Sequence, residues 1–133
     1  MSTVAEQLDS IKRAHRALYD CFVWKSDNEE VGRPEDWSRP HRRGDKLYGD
    51  CDSFAMEMDS RSANLVSIKM RKFAICRIDP KSRQQDHCVL AFIDNDDIWI
   101  SDCNSSMLKL RQDLPYDLWA WNKDAINGPW EMF

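Results

Sequence analysis

Apolar residues recur at three- and four-residue steps at the start of the chain: Val4, Leu8, Ile11, Leu18 and Phe22, with His15 on the same stripe. That spacing predicts an amphipathic helix, because residues three and four apart share a face. A second helix is expected from about Asp50, whose carboxylate suits an N-cap. Cys51, Phe54, Ala55, Met58, Ser62 and Leu65 would form its inward face. Between the two, Asp20 to Lys46 keeps neither helical nor strand period and carries Gly32, Pro34, Pro40 and Gly44. It reads as a long irregular connection, with Trp24 and Trp37 as expected anchors onto the core. Connections of that length in compact domains are more often functional than idle.

The second half changes period. Phe73 to Ile78, His87 to Ile93 and Ile98 to Cys103 are rich in β-branched, aromatic and Cys residues, bounded by Asp79-Pro80 and by Asp94 to Asp97. These read as strands. Leu118 to Trp121 and Trp130 to Phe133 suggest one more hairpin, across Asn127-Gly128-Pro129. Helices first and strands second predict an α+β fold. A chain of 133 residues has room for one core, so residues 1–133 are expected to form a single domain.

Composition narrows the function classes. The apolar fraction of 42% and charged fraction of 32% are ordinary for a globular protein. A net charge of -4 offers no general basic surface, so nucleic acid is not the expected partner. Arg39, His41, Arg42, Arg43 and Lys46 form a local basic cluster, which reads as a solvated loop before it reads as a binding patch. The opening MSTVAEQLDSIKRAH has no apolar core of a secretory signal, and no run approaches the roughly 18 apolar residues of a membrane span. The expected location is therefore the cytoplasm, without membrane contact. Five cysteines with no CxxC spacing are expected to be free thiols there.

Candidate chemistry centres on Cys51. One residue past an N-cap, its sulfur would sit at the positive end of a helix macrodipole, where thiolates are favoured. Asp50 and Asp52 oppose this, unless the roughly 100° between successive helical side chains turns them away from the sulfur. A buried structural thiol is the common alternative. His87 bears on the choice. It shares a strand face with Val89, Ala91 and Ile93, while Ile98, Ile100, Asp102 and Asn104 share a face of the next strand. If Asp94 to Asp97 makes an even-length turn, residues whose numbers sum to 191 lie opposite one another. His87 is then diagonal to Asp102 on one face, roughly 7–8 Å apart at the backbone. A carboxylate there can hold one imidazole nitrogen and leave the other to take a proton from a thiol. An ordinary core histidine satisfied by an aspartate is the alternative for that pair. Together, Cys51, His87 and Asp102 have the residue types that nucleophilic catalysis requires.

Other residues carry less. Cys51, His87, Cys88 and Cys103 lack knuckle spacing, and alternation puts His87 and Cys88 on opposite strand faces, which argues against structural zinc. His15 and His41 read as structural. Cys21, Cys76, Cys88 and Cys103 read as small core residues. Most of the six tryptophans read as core or loop anchors rather than a ligand groove.

In order along the chain, several segments resemble the bacterial transglutaminase-like cysteine peptidases, a branch of the papain-like and transglutaminase-like group. Glu35-Asp36-Trp37-Ser38-Arg39-Pro40 is similar to that family's aromatic-x-x-Pro stretch. Gly49-Asp50-Cys51-Asp52-Ser53-Phe54-Ala55 resembles its nucleophile motif, with Ser53 where the family usually has Asp. Asp86-His87-Cys88-Val89-Leu90 is similar to its His-Ala-Val-Leu strand, with Cys88 in place of Ala. Trp99 to Asn104 resembles the strand ending in Leu-Asp-Asn, and Tyr116 to Phe133 the closing aromatic hairpin. The resemblance implies a papain-like fold and a triad of Cys51, His87 and Asp102. It implies peptide-bond or glutamine-amide chemistry through a thioester, on a protein or peptide substrate. The Cys51 N–H would be one oxyanion donor, and Trp37 or Tyr48 stand where a second could lie. No cofactor is required, though Asp50 and Asp52 match positions that hold calcium in adhesin-trimming relatives. Those relatives act in the periplasm, so the substrate here is expected to differ. A cysteine peptidase is the first expectation. A glutamine transamidase or deamidase with the same triad comes second, and a non-catalytic binding module on this fold third.

Overall fold

The computed structural model describes residues 3–25, 39–77, 87–94, 97–115, 117–122 and 130–132. The first helix, α1, spans Val4–Cys21 and opens with Thr3, whose hydroxyl accepts from the Glu6 N–H at 3.2 Å. Val4, Ile11, His15 and Leu18 are its buried face, four of the six positions on the expected stripe. The second helix, α2, spans Cys51–Ser62. Asp50 is its N-cap, and the carboxylate accepts from the Ser53 N–H at 3.1 Å and the Ser53 hydroxyl at 3.3 Å. Phe54 joins the helices, edge-on to His15 of α1 and to Phe22 just beyond it, with ring centroids 5.5 and 5.0 Å away.

The expected irregular connection is partly ordered into a small sheet. Strand β1 (Phe22–Trp24) runs parallel to β3 (Lys46–Gly49), and β2 (His41–Arg43) pairs antiparallel with β3. Two residues, Gly44 and Asp45, turn β2 into β3, and Gly44 has φ +64°, the backbone region that tight hairpin turns require. These strands escaped pattern reading because β2 is polar and exposed at all three positions and β1 is only three residues long. Trp24 does not anchor the core, since 56% of it is exposed. Trp37 lies outside the described residues.

Among the described residues the main sheet has six strands: β4 (Arg71–Arg77), β5 (His87–Asp94), β6 (Asp97–Ser101), β7 (Lys109–Leu110), β8 (Asp117–Asn122) and β9 (Trp130–Met132). They are antiparallel, in the order β7-β6-β5-β4-β8-β9. The β5–β6 ladder pairs Leu90 with Ser101, Ala91 with Ile100 and Phe92 with Trp99, the even-turn register expected from the sequence. Cys88, Leu90 and Phe92 pack toward the helices with Ile11, Leu18, Phe54 and Met58. Val89, Ala91, Ala74 and Ile100 form a second cluster across the sheet. Burial on both faces explains the near-continuous apolar run of β5. The fold is thus α+β, with two α-helices among the described residues packed on an antiparallel sheet. Among the described residues no helix is long and apolar enough to cross a membrane.

Candidate active site

Gly49 ends β3 and abuts the first turn of α2. A Cβ there would lie 2.5 Å from the Ser53 Cβ, so only glycine lets the strand pass this close to the helix. Strand end, Asp50 cap and helix start together fix Cys51. Its Sγ meets the main sheet beside β5, where it accepts from the Cys88 N–H at 3.4 Å. The β5–β6 pairing begins only at Leu90 and Ser101, which leaves room beside Cys88 for the sulfur. On the other flank, the register between β4 and β8 shifts at Ile75/Cys76, opposite Cys88 and His87. Such bulges are frequent beside functional sites, where they re-aim strand ends.

His87 and Asp102 come together as the face alternation predicted, though Asp102 lies one residue beyond the end of β6. His87 Nε2 and Asp102 Oδ1 are 2.5 Å apart, and both residues are buried. Past the strand the chain turns, with the Ser105 N–H donating to the Asp102 carbonyl at 3.1 Å. The Asn104 N–H donates to Asp102 Oδ1, also at 3.1 Å. Asp102 Oδ1 is thereby held by a ring nitrogen and a main-chain N–H together. A carboxylate on Nε2 favours a proton at that nitrogen, which makes Nδ1 the basic position of a neutral ring.

The turn also delivers Cys103, which pattern reading had assigned to the core. Its sulfur lies within 4.8 Å of a ligand atom of both His87 and Asp102, and the residue is half-buried. Strand alternation would have put Cys103 on the face opposite Asp102. The turn cancels that alternation, and no period in the sequence announces it. Cys88 is buried core, as expected, and Cys21 is half-buried against it.

The electrostatics of Cys51 run against the helix-dipole expectation. Burial pushes its thiol pKa well up, Asp52 adds to the rise, and the Cys88 N–H opposes it. Asp52 does face the sulfur: the thiol donates to its Oδ1 at 3.7 Å. Cys103 is pushed up as well, by burial and then by Asp102. Both shifts favour the protonated thiol over the thiolate.

Asp50 and Asp52 supply two carboxylates for calcium, one already capping α2 and the other facing a thiol. Calcium takes six to eight oxygens. Among the described residues, the clustered metal-ligand set is His87, Asp102 and Cys103, which includes neither. Of the oxyanion candidates, Tyr48 is half-buried on β3 under Lys25 and Arg43, 5.4 and 5.2 Å from its ring centre. In the basic cluster, His41, Arg42 and Arg43 are exposed, while Arg39 pairs with Glu57 of α2 at 2.7 Å.

His15 is structural, as expected. It is fully buried, with Nδ1 2.7 Å from the Ser101 hydroxyl and Nε2 2.7 Å from the Ser105 carbonyl. A carbonyl only accepts, so Nε2 carries the proton and Nδ1 accepts from Ser101. This brace ties α1 to both sides of the turn that holds Asp102.

The arrangement of helices on an antiparallel sheet is a transglutaminase-like fold, as its likeness to solved structures shows. Solved structures of Legionella pneumophila LapG, a transglutaminase-like cysteine protease, are similar to it. One matches with a TM-score of 0.62 at 16% identity, over 96% of this chain and 74% of LapG. An EGTA-treated form matches with the same TM-score at 17% identity, over 96% and 73%. No protein-family model matches the chain, and no curated protein sequence does.

Proposed function

We propose that the chain is a cysteine peptidase in which Cys51 is the nucleophile, His87 the general base and acid, and Asp102 its orienting partner. The carrying observation is the buried 2.5 Å His87–Asp102 pair on the strand whose next residue, Cys88, donates to the Cys51 sulfur. With the thiol protonated at rest, attack and proton transfer are concerted. Sγ bonds to the substrate carbonyl carbon as His87 takes the proton, and Asp102 stabilises the imidazolium that forms. The C–N bond then breaks, the amine leaves with the proton from His87, and a thioester remains on Cys51. Water attacks the thioester with His87 again as base, releasing the acid and restoring the thiol. The likeness to LapG supports a protein or peptide as the substrate, and the length of the chain is what supports a single domain. No step runs through calcium.

The test is acylation by p-nitrophenyl acetate. A stoichiometric burst of nitrophenolate is expected, and it should disappear in Cys51→Ala and in His87→Ala variants that keep the wild-type circular dichroism. A burst unchanged in Cys51→Ala would remove the proposed nucleophile. Products from a casein digest then separate the chemistries: new amino termini for a peptidase, crosslinks for a transamidase. Calcium is checked by thermal unfolding with added Ca²⁺ and then EGTA, since LapG has an EGTA-treated structure.

A further inference from the structure

We propose that His87, Asp102 and Cys103 form a binding site for a soft divalent cation of the zinc type. Each offers one ligand atom, an imidazole nitrogen, a carboxylate oxygen and a thiol sulfur, and all lie within 4.8 Å of one another. Tetrahedral zinc, with bonds of about 2.0–2.3 Å, separates such atoms by roughly 3.3–3.6 Å. The three are therefore gathered to within about 1 Å of a coordinating arrangement, and the 2.5 Å His87–Asp102 contact opens by a similar amount to admit the ion. Softness selects the metal. Thiolate and imidazole favour zinc, whereas calcium and magnesium require oxygen shells that these residues lack.

Proton and charge balance are simple. The Cys103 thiol releases one proton to solvent as its sulfur bonds the ion, and His87 binds as the neutral ring. Thiolate and carboxylate then cancel the 2+ charge in a largely buried place. His87 and Asp102 are buried while Cys103 is half-buried, which leaves an entry on the thiol side. The Asn104 N–H on Asp102 Oδ1 holds the carboxylate in place, and the Ser105 N–H on the Asp102 main-chain carbonyl sets the turn that carries it. Three protein ligands leave a fourth position open. Binding also occupies the imidazole that takes the Cys51 proton, so the ion would inhibit hydrolysis reversibly; that consequence alone rests on the proposed function.

Cobalt(II) makes the site visible without substrate. The reduced protein is titrated with CoCl₂, and a cysteine-to-cobalt charge-transfer band saturating at one equivalent is expected. Displacement by ZnSO₄ should then bleach it. The band should persist in Cys51→Ala and vanish in Cys103→Ala and in Cys103→Ser, with zinc affinity lowered more than about 100-fold, since even partners outside the ligand shell cost 10–100-fold. No band in the wild-type protein, or a band that survives in a folded Cys103 variant, overturns the site. A band with the expected dependence in a protein inert toward acyl substrates keeps the site and removes the hydrolase instead. Zinc inhibition that tracks the titration supports both.

Discussion

Two buried histidines, His15 on the inner face of α1 and His87 at the start of β5, show how partners alone divide one residue type into two roles. Their burial is nearly the same, 0% and 6% exposed. His15 has a hydroxyl on one nitrogen and a carbonyl on the other, so both bonds are satisfied by the neutral ring. Burial then holds its pKa below the usual value, and it stays an uncharged brace. His87 has a carboxylate on Nε2 and the Cys103 thiol nearby. Neutral partners leave His15 a brace, whereas the carboxylate gives His87 the counter-charge that its proposed role as base and acid requires.

The contrast can be broken most forcefully at His87. Asp102→Asn should lower acyl transfer by on the order of 10³ to 10⁴-fold in steady-state assays, because an amide no longer favours the reactive tautomer or the cation. The fold should survive, as read by circular dichroism. His15→Ala should act on stability instead. It strands the Ser101 hydroxyl and the Ser105 carbonyl, and is expected to cost about 2–4 kcal/mol in urea unfolding. Ser101→Ala removes only one donor to the same ring and should cost about 1 kcal/mol by the same measurement.

The smallest expected effect is a pH dependence. A histidine whose folded pKa is depressed contributes stability that is complete above the unfolded value of 6.5. That stability is lost as pH falls from there through the folded pKa, because the unfolded chain binds the proton first. The melting temperature should therefore decline below pH 6.5 more steeply in the wild-type protein than in His15→Gln. Equal slopes would mean that His15 is not held neutral.

Much of this site was legible in the chain because the sheet obeys its own arithmetic. Alternation put His87 and Asp102 on one face, and the even turn after Asp94 fixed their diagonal relation. The register follows that rule from Leu90–Ser101 through Asp94–Asp97. Asp50 and the stripe from Phe54 to Ser62 announced α2 in the same way. What escaped lies where periodicity ends. Cys103 reaches His87 through a turn, not a strand face. Asp52 faces the Cys51 sulfur through a side-chain rotation that helical spacing does not set. The three strands before Gly49 are too short or too polar to show a pattern. Gly49 itself was legible only as part of a motif; its cause, the contact with Ser53, comes from the bend between β3 and α2, which no period sets.

One thiol, Cys103, clusters with His87, and another, Cys51, sits on the N–H of the residue after it, so the identity of the nucleophile is the central question. The most direct measurement is to quench the acylated protein in acid and map the acetyl group by peptide mass spectrometry. The account predicts one acetyl group on the peptide containing Cys51, absent when His87 is replaced by Ala. Acetylation at Cys103, or at Cys51 to the same extent without His87, would contradict it.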